Sequence, residues 1–122
     1  MKWNFDNNKP IYSQIIDHIK LFIISGELKS GERLPSVRDL AGEAGVNPNT
    51  MQRALSELER TGLVYSNRTS GRFITEKEDI IKEIKTESAE RSIREFLNNM
   101  EHIGYSKEEV IKILENYGIG DE

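Results

Sequence analysis

The residues best suited to chemistry are amides and arginines in two stretches that contain no acidic residue. Residues 44–56 carry Arg53 with several polar side chains, and residues 60–75 carry three further arginines. Guanidinium and carboxamide groups donate hydrogen bonds to phosphate oxygens and to the edges of bases. The pattern therefore suits contact with nucleic acid.

The net charge of −4 is distributed unevenly along the 122 residues. Residues 1–77 carry a net charge of +2, whereas residues 78–122 carry −6. At physiological salt, charges separated by more than roughly 8 Å are largely screened. An acidic second part therefore does not prevent the first part from binding phosphates.

Several classes of function lack the residues that they need. The sequence has no Cys, and its two histidines, His18 and His102, stand far apart, so no metal site and no cofactor is predicted. There is no Gly-x-x-x-x-Gly-Lys loop and no pairing of a nucleophile with a histidine, so we do not expect an enzyme. The longest apolar run, residues 21–24, is far shorter than the roughly 20 residues of a membrane span. We expect a soluble, cytoplasmic protein with no membrane contact.

Hydrophobic spacing and capping residues predict two helices in the first 45 residues. Apolar residues recur at helical spacing after Pro10, and this first helix ends near Gly26. A second, short helix begins at Ser36, a favourable N-cap, and ends at Gly45, where a left-handed helix end favours glycine.

A third helix has the strongest start signal in the sequence. Asn47 is a favourable N-cap, Pro48 suits the first helical position, and Gly62 ends the helix. The predicted buried stripe is Met51, Leu55 and Leu58, and the opposite side holds Asn49, Arg53 and Ser56, with Gln52 on a flank. The outward face of this helix is therefore polar and free of acids.

The remaining sequence predicts a hairpin and two more helices. Residues 63–66 and 72–75 are apolar and aromatic, with turn residues between them. A charged helix follows from residue 76 to Gly104, and a capping box from Ser106 to Glu109 begins a short last helix. The fold is therefore mainly α with a small β-hairpin. We expect a winged helix-turn-helix domain over residues 1–76 and a two-helix dimerisation tail over residues 77–122, with the third helix in the major groove of DNA.

Five motifs in register resemble the GntR family of bacterial transcription regulators. They are residues 10–15 (PIYSQI), 31–41 (GERLPSVRDLA), 45–55 (GVNPNTMQRAL), 58–64 (LERTGLV) and 71–74 (GRFI). The short tail resembles that of the YtrA-type subfamily, whose members dimerise through it. This resemblance implies a sequence-specific, DNA-binding transcription regulator that acts as a repressor.

The predicted DNA contacts rest on this resemblance and on the polar face of the third helix, where two departures from the family move base contact to Asn49, Gln52 and Arg53. Many family members have arginine where this chain has Pro48 and Gln52, and the first glycine of the family's Gly-x-Gly in the wing is Thr69. The predicted DNA contacts are Ser36, Arg38, Asn47, Asn49, Thr50, Gln52, Arg53, Arg68, Gly71 and Arg72. Alternatives stay open for several of them. Ser36 also serves as a helix cap, Thr50 also suits packing, and Gly71 also suits a turn. Arg38, Arg68 and Arg72 also suit solvated surface charges.

The acidic tail carries more apolar side chains than a chain of this size can cover alone. The predicted dimerisation residues are Ile80, Ile84, Ile93, Phe96, Leu97, Met100, Ile103, Val110, Ile113, Leu114 and Tyr117. A homodimer would cover them and would place two recognition helices about 34 Å apart on a pseudopalindrome. The alternative is a winged-helix module that binds protein partners through its acidic tail. A small effector stays open, although the tail offers little room for a pocket.

Overall fold

Seven elements follow one another along residues Met1–Gly118, the part of the chain that this computed structural model describes. They are α1 (Ile11–Ile24), α2 (Val37–Ala44), α3 (Pro48–Arg60), β1 (Val64–Asn67), β2 (Gly71–Ile74), α4 (Glu78–Ile103) and α5 (Lys107–Asn116). This order confirms the predicted, mainly α fold with one β-hairpin. The chain divides into a first unit, Met1–Lys85, and a second unit that begins at Thr86.

Side-chain caps fix the ends of the helices in the helix-turn-helix, as the sequence predicts. The Ser36 Oγ accepts a hydrogen bond of 3.1 Å from the backbone N–H of Asp39, and the Asn47 Oδ1 accepts one of 2.7 Å from the backbone N–H of Asn49. Gly45 ends α2 with a φ of 72°, a left-handed conformation that glycine adopts without strain. Only three residues, 45–47, therefore separate α2 from α3.

The core of the first unit lies around α3, which packs on α1, α2 and β1. The spacing of the apolar side chains in α3 explains this position, since one face of the helix is completely buried. The largest fully buried side chains of this unit are Ile15, Ile19, Leu40, Met51, Leu55, Leu58, Leu63, Val64 and Ile74. The opposite face of α3 is therefore the one that is available to a ligand.

The hairpin is extended by the chain segment that precedes α2. Strands β1 and β2 pair antiparallel, with Val64 opposite Ile74 and Ser66 opposite Arg72. The backbone N–H of Leu34 donates to the carbonyl of Arg72 at 2.8 Å, next to a single bridge between Arg33 and Phe73. The sequence does not predict this pairing, because a single bridging residue leaves no alternating pattern to detect.

The start of α4 belongs to the first unit. Ile80, Ile81 and Ile84 are half-buried and pack against the core of that unit. The sequence placed the domain boundary after residue 76, where the composition becomes charged, whereas the structural division falls after Lys85. The difference arises because the first two turns of α4 carry an apolar stripe that the core of the first unit covers.

His18 takes part in an aromatic cluster at the N-terminal end of the chain. Its ring stacks on Trp3 at a centroid distance of 5.7 Å and contacts Phe5 at 5.0 Å. Its Nε2 accepts from the backbone N–H of Asn4 at 3.2 Å, and its Nδ1 lies 2.7 Å from the carbonyl oxygen of Gln14. Both ring nitrogens therefore have backbone partners. Within Met1–Gly118, no group of three or more potential metal-ligating side chains comes together.

None of the helices in the described part of the chain is both long enough and apolar enough to cross a membrane.

The second unit contains the end of α4 and all of α5. The capping box predicted at the start of α5 is present: the Ser106 Oγ accepts from the backbone N–H of Glu109 at 3.2 Å, and the Glu109 carboxylate accepts from the backbone N–H of Ser106 at 3.1 Å. The backbone and side-chain hydrogen bonds with Ser106 lower the pKa of Glu109. Val110, one turn later, is buried within this unit.

Candidate nucleic-acid interface

The solvent-facing side of α3 presents hydrogen-bonding groups and no carboxylate near its beginning. Asn49, Gln52, Arg53 and Ser56 are exposed, and Thr50 is half-buried beside them. Because Met51, Leu55 and Leu58 are buried on the opposite side, these polar groups cannot turn inward. An exposed polar face that a buried stripe holds rigidly is what a recognition helix requires.

Arg53 is positioned by an aromatic ring rather than by an acid. Its guanidinium carbon lies 4.6 Å from the centroid of the Tyr12 ring, which α1 supplies. A cation–π contact of this kind holds a guanidinium without using its N–H donors. The N–H donors of Arg53 are therefore available to a ligand. No local pattern in the sequence indicates this role for Tyr12, because the contact joins residues 41 positions apart.

Gln52 is linked to the hairpin and to the next turn of its own helix. Its Oε1 accepts a hydrogen bond from the Arg72 Nη1 at 3.4 Å, and its Nε2 donates to the Ser56 Oγ at 3.3 Å. These two bonds fix the carboxamide at the end of a flexible side chain. The structure thus places the predicted contacts Gln52 and Arg72 next to each other.

The Arg72 guanidinium is held by a carboxylate that the sequence pattern did not single out. The Arg72 Nε donates to the Glu59 Oε1, and the Ser66 Oγ donates to the same oxygen at 2.5 Å. Ser66 and Arg72 stand opposite each other on β1 and β2, so Glu59 joins α3 to both strands. The side chain of Arg72 is only 20% exposed. Arg72 is therefore a partly buried, neutralised cation rather than a free one.

This ion pair predicts a pH-dependent contribution to stability. Burial raises the pKa of Glu59, but the hydrogen bonds from Ser66 and Arg72 outweigh it, so the pKa is lowered from its ordinary value of 4.5. A lowered pKa in the folded state means that the ionised carboxylate stabilises the fold above about pH 4.5 and that this stabilisation is lost as the pH falls through the folded-state pKa.

We expect Glu59→Gln to be less stable than the wild type at pH 7 and the difference to shrink progressively below pH 4.5. Urea unfolding of both proteins at a series of pH values measures this difference in the free energy of unfolding. A stability difference that stays constant down to about pH 3.5 would contradict the assigned ionisation of Glu59.

The wing turn between β1 and β2 is built on Asn67. Its Oδ1 accepts from both the backbone N–H and the hydroxyl of Thr69, each at 3.1 Å. This local bonding forms a tight turn, and Thr69 keeps a negative φ, so the turn does not need glycine there. Gly71 has a φ of 106°, which does favour glycine. Arg68 stands exposed at the tip of this turn.

Arg33 is a further cation next to the wing that the sequence pattern did not indicate. A Cβ on Gly71 would lie 3.2 Å from the Arg33 Nε. Arg33 also lines a shallow depression with Pro35, Ser36 and Asp39 at the start of α2. Gln52, Arg72 and Gly71 therefore lie on the same side of the first unit as Arg33 and the N-terminus of α2. No local pattern in the sequence indicates this position of Arg33, because it depends on the bridge that joins the segment before α2 to β2.

All ten predicted DNA contacts lie in the first unit, and most are exposed. The structure connects those of α3 to those of the wing through Gln52 and Arg72, and those of the wing to Ser36 through Arg33. Arg38 lies on the first turn of α2. Ser36 and Asn47 already cap their helices with the side-chain oxygens that a ligand would meet.

Residues 11–74 match the model of the bacterial regulatory proteins of the gntR family. The chain is 40% identical over 116 residues to the uncharacterized HTH-type transcriptional regulator YhcF of Bacillus subtilis, covering 95% of this chain and 96% of that protein. It is 44% identical over 70 residues to the HTH-type transcriptional repressor YtrA of the same organism, covering 57% of this chain and 54% of YtrA.

Solved structures show the same fold. A GntR family transcriptional regulator from Listeria monocytogenes superposes with a TM-score of 0.84 at 37% identity, covering 93% of this chain and 100% of that one. The DNA-binding domain of AraR in complex with operator ORR3 superposes with a TM-score of 0.52 at 27% identity, covering 62% of this chain and 88% of that one. With a winged helix-turn-helix fold, the family match and a relative similar over nearly its whole length, the chain belongs to the GntR family of DNA-binding transcription regulators.

Proposed function

We propose that the chain is a cytoplasmic repressor that binds a pseudopalindromic operator as a homodimer. The observation that carries the DNA-binding part is the exposed, acid-free face of α3, on which Arg53 is oriented by Tyr12. Support also comes from the AraR domain, a structural neighbour that was solved in complex with its operator, and from YtrA, a relative named as a repressor.

The predicted contacts divide into two kinds. We assign base contacts in the major groove to Asn49, Gln52 and Arg53, because they stand on the exposed face near the beginning of α3. The contacts assigned to phosphates or to the minor groove are Ser36, Arg38, Asn47, Thr50, Arg68 and Gly71. Phosphate contacts fix the register of the protein on the duplex, whereas base contacts carry the sequence information. Arg72 takes part in the interface indirectly, through its hydrogen bond to Gln52.

The dimerisation surface that we propose lies on the second unit. Ile93, Phe96, Met100 and Ile103 follow a spacing of three and four residues, which places them on one face of α4. Ile93 is 56% exposed and Ile103 is 68% exposed. Ile113, Leu114 and Tyr117 of the second unit are also more than 40% exposed. Apolar side chains exposed in such numbers favour burial against a second copy.

Five of the predicted dimerisation residues are buried or half-buried within the single chain: Val110 is buried, and Ile80, Ile84, Leu97 and Met100 are half-buried. Ile80 and Ile84 pack against the core of the first unit, and Val110 is buried inside the second. We therefore base the proposed interface on Ile93, Phe96 and the other exposed residues. A two-fold dimer of this kind would bind two half-sites about one helical turn apart, and a bound dimer would block a promoter.

A groove in the second unit is the candidate site for the effector that the sequence left open. Its volume is about 930 Å³, which is larger than the short tail led us to expect. Its lining is Arg94, Glu95, Leu97, Asn98, Glu101, Gly104, Tyr105, Ser106, Lys107 and Glu109. The groove is open to solvent, and its lining combines charged side chains with a larger apolar area, which suits an amphipathic molecule.

The alternative function, a winged-helix module that binds a protein through its acidic tail, predicts a different response to salt. Binding to DNA releases counterions, so the affinity falls steeply as the salt concentration rises. Fluorescence anisotropy distinguishes the DNA-binding function from the protein-binding one. It uses a labelled fragment of the gene's own promoter and a shuffled duplex, each over a salt series. We expect tighter, salt-dependent binding to the promoter. The absence of binding to either duplex, even at low salt, would favour the protein-binding alternative.

A further inference from the structure

The orientation of the Gln52 carboxamide is fixed by the chemistry of its neighbours. A guanidinium has only hydrogen-bond donors, so the atom of Gln52 that faces the Arg72 Nη1 must be the oxygen. The amide nitrogen then faces Ser56, whose hydroxyl oxygen accepts from it at 3.3 Å. A carboxamide that is bonded at both ends resists rotation by half a turn, because the rotation would set its NH₂ group against the guanidinium donors.

These two bonds leave the Gln52 carboxamide with one unused acceptor site and one unused donor hydrogen. A carboxamide has two lone pairs on its oxygen and two hydrogens on its nitrogen, and the protein uses one of each. In the major groove, adenine presents one donor and one acceptor, whereas guanine presents two acceptors. A glutamine that is to satisfy both acceptors of guanine needs both of its amide hydrogens, and Ser56 already takes one.

We propose that Gln52 reads an adenine in each half-site and that Arg72 and Ser56 are positioning residues that make it reject guanine. This inference rests on the proposed DNA-binding function and assigns a base to one side chain. It gives Arg72 a different role from Arg68, which stands exposed at the tip of the wing.

Glu59 completes the arrangement because it fixes Arg72 from the other side. The Arg72 Nε donates to the Glu59 carboxylate while its Nη1 donates to Gln52, so the guanidinium is held between two acceptors. The ion pair is neutral overall, and the Arg72 side chain is only 20% exposed. A neutralised, partly buried arginine releases few counterions when DNA binds, unlike an exposed one. The salt dependence of binding therefore distinguishes a positioning arginine from a phosphate contact.

The first step of the test finds the base that Gln52 reads. Full-length protein selects duplexes from a random library, and anisotropy then measures binding of wild type and Gln52→Ala to the selected duplex and to each single A·T to G·C change in it. We expect one position per half-site where the wild type prefers adenine by about 5- to 150-fold and Gln52→Ala has no preference. No adenine preference that depends on Gln52 would overturn the inference.

The second step removes, one at a time, the two hydrogen bonds that hold the Gln52 carboxamide. Arg72→Met removes the guanidinium while keeping an unbranched side chain, and Ser56→Ala removes the hydroxyl at an exposed helical position where alanine is favourable. Both variants should lower the preference for adenine over guanine at the Gln52 position at least about threefold and leave the preferences at other positions unchanged. The salt dependence of log K should keep its wild-type slope in both.

Arg68→Met is the matched control for Arg72→Met, because it removes the same group from the same hairpin. It should weaken binding to all duplexes about equally and reduce the slope against log[salt] by about 1. The inference is wrong if Arg72→Met behaves in the same way, since Arg72 would then be a phosphate contact. It is also wrong if Ser56→Ala, which does not touch the ion pair, leaves the preference for adenine unchanged.

The failure of this inference is distinct from that of the proposed function. If selection enriches no duplex, the DNA-binding function fails and the inference fails with it. If selection enriches a duplex with two half-sites but the variants above keep the wild-type base preference, only the role of Gln52 and its positioning residues is refuted.

Discussion

Ile93→Glu is expected to convert a dimer into a monomer at micromolar concentration and to weaken binding to a duplex with two half-sites by about 10²- to 10⁴-fold. The side chain is 56% exposed on the apolar face of α4, so a glutamate there leaves the single chain intact. In the proposed interface, by contrast, each copy would bury a carboxylate against apolar side chains. Loss of the dimer also removes the gain in affinity from binding two half-sites at once.

Sedimentation equilibrium and anisotropy measure the two effects on the same samples. Asn98→Glu is the matched control, because it adds the same charge to the same helix on the side opposite the apolar stripe. We expect it to stay dimeric and to bind DNA like the wild type, apart from a small effect of the added charge. A wild-type protein that sediments as a monomer at micromolar concentration would refute the dimerisation surface.

Arg53→Ala is expected to cost about 1 to 3 kcal/mol of binding free energy on the preferred duplex and to relax the sequence preference. Arg53 stands on the exposed face of α3, where its guanidinium is oriented by Tyr12. Removal of a base contact weakens binding to the preferred sequence and has little effect on other sequences.

Arg68→Ala, on the wing, is the comparison for that variant. It should weaken binding to preferred and shuffled duplexes alike and reduce the salt slope by about 1, because a phosphate contact carries no sequence information. Anisotropy on both duplexes over a salt series measures both variants. Equal affinity of the wild type and Arg53→Ala for the preferred duplex would refute the assignment of α3 as the recognition helix.

The fold could be predicted from the sequence where local chemistry decides it. Ser36, Asn47 and Ser106 cap helices because their side chains bond to backbone N–H groups two or three residues away, and such signals are visible in any short window of sequence. The buried stripe of α3 follows from a helical period of about 3.6 residues. The position of the domain boundary could not be predicted in this way, because it depends on which core covers Ile80 and Ile84.

The types of residue at the candidate site could be predicted from the sequence, but the contacts between their side chains could not. The polar face of α3 and the arginines of the wing are evident from the sequence. The pairing of Arg72 with Glu59 is not, because it joins residues 13 positions apart and depends on how the hairpin packs against α3. The Tyr12 ring under Arg53 and the approach of Arg33 to Gly71 are likewise products of tertiary packing. These connections decide which arginines are free and which are already paired.

Selection by the full-length protein from a random duplex library most directly tests whether this chain is a sequence-specific regulator, because the library offers every half-site sequence at once. We predict enrichment of one sequence made of two inverted half-sites, with centres about 10 base pairs apart, as two recognition helices on a two-fold axis require. Loss of that enrichment in Arg53→Ala would assign the readout to α3. A wild-type pool that stays random after repeated rounds would contradict sequence-specific regulation by this chain.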